Sequence, residues 1–114
     1  MDELAADWLV VDLGNTVSRG AIDDFLDADV AIHVTVPEPT AIEASYRFLR
    51  RAFARHLTRS VQDADARRGL AARLRELGGA PAPLDLWRIL EDDGDPLAEL
   101  VRDRMEGFHP ALVL

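Results

Sequence analysis

Two apolar runs dominate the first third of the chain. Trp8-Leu9-Val10-Val11-Asp12-Leu13-Gly14 and Val30-Ala31-Ile32-His33-Val34-Thr35-Val36 are each rich in β-branched residues and nearly continuous. That pattern fits strands covered on both faces, as in a parallel sheet, rather than an amphipathic sheet with one wet side. Between them Ser18 is a good N-cap, and Ile22, Phe25 and Leu26 share one face of a short helix ending near Asp27. Strand, short helix and strand together predict one right-handed βαβ unit over residues 7–36. Asp12 and Glu38 then fall at the carboxyl ends of adjacent strands, the edge where open α/β sheets bind ligands.

Beyond residue 38 the period changes to that of helices. Pro39 suits a first helical position, Thr40 and Glu43 have capping-box spacing, and Ile42, Tyr46, Leu49, Phe53 and Leu57 form one apolar stripe. Arg47, Arg50, Arg51 and Arg55 lie opposite, as the solvated face of an amphipathic helix. Leu70, Leu74 and Leu77 predict a second helix stopped by Gly78-Gly79. After the stiff Ala80-Pro81-Ala82-Pro83 connector, two more helices are expected at about 84–90 and 96–107. Residues 111–114 read as a last strand. The fold class expected is therefore α/β: a single domain over 1–114, a partial parallel sheet, and a helical insertion at about 58–108 before the final strand.

The segments DWLVVDLGNTVS and DADVAIHVTVPEPTAIEASYRFLR resemble the second half of the nucleotide domain of MinD/ParA-type P-loop ATPases, nearest the FlhG-like branch. The resemblance is specific over residues 7–50. It extends to 114 because Phe108-His109-Pro110-Ala111-Leu112-Val113-Leu114 resembles the strand before that family's adenine-contacting Asn, and stops one residue short of it. The resemblance implies a sheet of P-loop NTPase type, with ATP and Mg²⁺ as cofactors of the parent family. It implies Asp12 as the magnesium-coordinating acid, Gly14 and Thr16 as the switch loop, and Pro37, Glu38 and Pro39 as the rim facing a second subunit. The parent activity would be ATP hydrolysis coupled to dimerisation and to the positioning of cellular machinery. Thr16 departs from the family pattern, which favours Gly for close backbone approach to phosphate.

Several things limit that activity in this polypeptide. There is no G-x-x-x-x-G-K-[ST] segment and no lysine anywhere, so neither the phosphate-cradling loop nor the signature lysines are present. One carboxylate is too few ligands for magnesium. The chain alone is thus expected to be non-catalytic and to bind no cofactor. Its alternative role is a stand-alone interaction module with a protein partner or a second copy.

Charge and composition narrow the partners. The formal net charge of −8 disfavours nucleic acid and anionic membranes. The absence of cysteine removes disulfides and thiolate chemistry. No apolar run has membrane-spanning length and the start is acidic, so a cytoplasmic location is expected. His33 is expected to be a sheet-face histidine with a hydrogen-bond partner, and Trp8 and Trp87 to be packing residues.

Overall fold

The computed structural model describes residues 6–14 and 18–114. Its elements run α1 (Arg19–Asp27), β1 (Ile32–Val34), α2 (Pro39–Ser60), α3 (Ala64–Glu76), α4 (Pro83–Asp92), α5 (Leu97–Gly107) and β2 (Ala111–Val113). Helices take up 61% of the described residues, which overturns the expectation of a P-loop-type α/β sheet. The sheet has two strands of three residues each.

The first predicted strand is the principal correction. Residues 7–13 carry no strand, and Trp8 and Val10 are 81% and 89% exposed. A parallel strand is stabilised by neighbours on its edges and cover on its faces; no described strand pairs with this segment, and of its residues Leu13, at the end, packs against the Ile22–Phe25–Ala52 cluster. Composition alone therefore did not suffice to form it. The pairing that does form joins β1 to β2 in parallel, with Ile32, His33 and Val34 opposite Ala111, Leu112 and Val113. Val30 and Val36 lie outside the short ladder.

The helices close two cores. Ser18 caps α1 by accepting the Ala21 N–H at 3.2 Å, and α1 then buries Ala21, Ile22 and Phe25. Phe25 meets Phe48 of α2 edge to face, with centroids 5.1 Å apart, and Ile22, Phe25 and Ala52 form the smaller cluster. The larger one gathers Phe53, Leu57, Leu70, Leu74, Leu86, Leu90 and Val101 from α2 through α5. Six large side chains are under 2% exposed, five of them in this cluster's α2, α3 and α4 and one, Val101, in α5. Each removes apolar surface worth about 1.5–3 kcal/mol.

Local chemistry sets the helix ends. Asp63 caps α3 by accepting the Ala66 N–H at 2.9 Å, while Arg67 donates twice to the Val61 carbonyl, at 3.0 and 2.6 Å, fixing the break between α2 and α3. Gly78 and Gly79 have φ of +90° and +98°, conformations that oppose a Cβ, and the Gly79 N–H returns to the Leu74 carbonyl at 2.7 Å. The capping box at the start of α2 does not form: Glu38 is the N-cap, and no side chain bonds the first turn. Pro39 at the first helical position lacks an N–H in any case, which lowers the need for a cap. The predicted apolar stripe also breaks. Leu49, Phe53 and Leu57 pack inward, but Ile42 and Tyr46 are exposed, and in the first two turns of α2 it is Ser45 that is buried, against His33.

Candidate functional site

The residues singled out for nucleotide chemistry do not converge. Asp12 is exposed, and its Oδ1 accepts the Gly14 N–H at 2.9 Å in a local turn that uses the φ of +68° at Gly14. Thr16 lies outside the described residues. Pro37, Glu38 and Pro39 are exposed at the end of β1, where the Glu38 N–H turns back to the Val36 carbonyl at 2.8 Å. Two surface cavities, one beside His56 and Arg104 and one beside Arg19 and Arg51, include none of the described members of this set. Among the described residues, no group of three metal-ligating side chains assembles.

What the strands do build is an aliphatic face. Ladder bonds run from the Ala111 N–H to the Ala31 carbonyl and from the Thr35 N–H to the Val113 carbonyl, both 2.9 Å. Side chains alternate across a strand, so Val30, Ile32, Val34 and Val36 share one side of β1, with Ala111 and Val113 alongside in register. Ile32 is 56% exposed, Val30 63% and Val34 69%. The other side carries Ala31 and His33, which pack towards α2. The face is unbroken by charge and no described residue covers it, although β-branched strands of this kind are ordinarily buried on both sides.

On the covered side, His33 has the partner its position called for. Ser45, buried on α2, donates its hydroxyl to the Ala41 carbonyl at 2.9 Å, so it accepts from His33 Nε2–H, also at 2.9 Å. The imidazole stacks on Phe48 with centroids 5.0 Å apart, and burial lowers its pKa. No carboxylate among the described residues reaches the ring. The pair anchors β1 to α2 and is not a catalytic triad.

The arginine row divides by partner. Arg55 grips Asp23 with two bonds, 2.8 Å from Nε and 3.2 Å from Nη2, and this hydrogen bonding holds the Asp23 carboxyl below its ordinary pKa while raising that of Arg55. Arg47 pairs with Glu43 at 3.5 Å, one turn away. Arg51 has no ion-pair partner among the described residues and borders a cavity. The sequence pattern treated these four as one solvated face and missed the Asp23 contact, because the partner sits 32 positions away on another helix.

No family model matches the chain, and no curated protein or solved structure does either. No helix among the described residues is long and apolar enough to cross a membrane.

Proposed function

We propose that the chain is a protein-interaction module that pairs with a second copy of itself through the aliphatic face of β1 and β2, with no catalytic step of its own. The observation that carries this reading is a parallel strand pair whose Val and Ile side chains are open to solvent. Parallel strands are stable when covered, and contiguous apolar patches on soluble proteins mark interaction surfaces. A second copy fits for an electrostatic reason. Two chains of net charge −8 repel over most approaches, whereas this uncharged face allows contact without opposing like charges. A face on a two-fold axis is also self-complementary.

Sedimentation velocity across a concentration series tests it. The wild-type chain is expected to populate a dimer, and Val34→Asp to remain monomeric with unchanged far-ultraviolet circular dichroism. A wild-type chain that stays a sharply melting monomer would refute the reading.

A second reading keeps the resemblance of residues 7–50 and treats Asp12, Gly14, Thr16 and Pro37 to Pro39 as half of a MinD/ParA-like nucleotide site that needs a complementary polypeptide. In its favour, the β1–β2 pairing is parallel and places Glu38 just past the carboxyl end of β1. Calorimetry with magnesium-ATP separates the readings. The interaction module gives no binding heat; sub-millimolar binding to the chain alone that Asp12→Asn removes would favour the half-site and show that it holds nucleotide without its complement.

A further inference from the structure

A cleft of ≈ 400 Å³ opens between the start of α1, the middle of α2 and the turn after α3, lined by Arg19, Ile22, Arg51, Ala54, Arg55 and the Gly78-Gly79-Ala80 segment. We propose that it binds a small phosphomonoester whose body is apolar, a site separate from the β1–β2 face and independent of its pairing.

Charge makes the first argument. In a chain carrying 21 acidic residues against 13 arginines, three arginines line this one cleft and, among the described residues, no acidic residue does. Asp23, the carboxylate bound by Arg55 at 2.8 Å, is also approached by Arg59 at 3.7 Å, while Arg19 acts on it only through space. Arg19 and Arg51 have no ion-pair partner within 4.0 Å among the described residues. Two free guanidinium forks beside a third that is already immobilised suit a dianion with three acceptor oxygens better than a monovalent carboxylate.

The walls make the second. Ile22 is buried and, with Ala54 and Ala80, supplies an apolar floor against which an aromatic or aliphatic body can lie. The α3 terminus would ordinarily present unsatisfied carbonyls here, but three of them accept N–H groups from the turn that follows. Leu77 N–H bonds the Arg73 carbonyl at 3.2 Å, Gly78 N–H that of Arg75 at 3.1 Å, and Gly79 N–H that of Leu74 at 2.7 Å. Phosphate polymers are disfavoured by the chain's overall negative field, which leaves a small ligand.

Titration of the full chain with phenyl phosphate, inorganic phosphate and benzoate, followed by amide and arginine Nε–H NMR signals at low salt, tests the site. Phenyl phosphate should shift Arg19, Arg51 and Gly79 saturably with a Kd of about 1 mM, and benzoate and inorganic phosphate should each bind about tenfold more weakly. Arg19→Ala and Arg51→Ala should each weaken phenyl phosphate about tenfold, and Arg51→Lys, which keeps charge but loses the fork, about threefold. Arg102→Ala, an exposed arginine of α5 paired with Glu106, should change nothing. The proposal falls if no saturable shift occurs, if Arg51→Ala binds like wild type, or if Arg102→Ala loses as much. Equal affinity for inorganic phosphate and phenyl phosphate would overturn the role of the apolar floor.

Discussion

The helices and the strand segments of the molecule are both rich in aliphatic residues, and only the helices bury most of theirs. In the helical end, Phe53, Leu57, Leu70, Leu86, Leu90 and Val101 are almost fully buried. In the strand end, Trp8, Val10, Val30, Val34 and Leu114 stand mostly in solvent. The difference follows from where each element satisfies its backbone. A helix closes its hydrogen bonds within itself and needs cover on one stripe only. A parallel strand borrows its hydrogen bonds from neighbours and needs cover on two faces. Apolar content therefore specifies burial in α3–α5, whereas in β1 and β2 it specifies only what a partner must supply.

Core truncation is the strongest way to break this comparison. Leu90→Ala, inside the α2–α5 cluster, should cost about 2–5 kcal/mol in urea denaturation, because the closed packing cannot collapse onto the cavity. Val34→Ala, measured at concentrations where the chain is monomeric, should stay within about 0.5 kcal/mol. Comparable losses at the two sites would show that the strand face is covered in solution by the chain itself.

Helix caps sharpen the comparison on a smaller scale. Asp63→Ala removes the side-chain acceptor that holds the Ala66 N–H and should cost about 1 kcal/mol. Thr40→Ala should change stability by less than about 0.5 kcal/mol, since no side chain caps the first turn of α2. Thermal melts of the two variants decide this. An equal loss at Thr40 would mean that the capping box read from Thr40 and Glu43 forms in solution.

What could be read in advance divides along the same line. Ser18, Pro39, Gly78-Gly79 and the Leu70-Leu74-Leu77 spacing located helix boundaries, because caps, stops and periodicity act within a few residues. The strands at 32–34 and 111–113 are parallel, as nearly continuous β-branched runs implied, but the expected sheet had three strands with 7–13 beside 30–36. Its failure at 7–13 has a physical cause: β-branched composition states a preference for a sheet interior without building one. The partners of β1 were misassigned for the same reason, since strand order depends on contacts far apart in sequence, here Ile32 with Ala111 and Val34 with Val113. The residues singled out for nucleotide chemistry are not brought together among the described residues. Asp12 spends its carboxylate on Gly14, and no described element carries it towards Glu38.

The smallest expected effect is a pH dependence, and it probes whether the two ends unfold together. His33 lies at the junction of β1 and α2, and His56 on α2 stacks on Phe108 beside the helical core. Burial lowers the pKa of His33; burial, then the charges of Arg104 and Arg59, lower that of His56. Both folded-state values thus lie below the unfolded value of 6.5, so the unfolded chain takes up protons first as pH falls. The contribution to stability is complete above 6.5 and is lost as pH drops through 6.5 towards the folded pKa. Asp23 does not confuse this window, because its depressed pKa acts only below its ordinary 3.8. The urea midpoint should therefore fall between about pH 7.5 and pH 5, and His56→Gln should flatten part of that slope. His33→Gln is the informative variant. If it flattens a further part, the strand pair melts within the same cooperative unit as the helices. If the slope is the same with and without His33, β1 has already released Ser45 before the helical core gives way, and the open end is a separate, weaker unit.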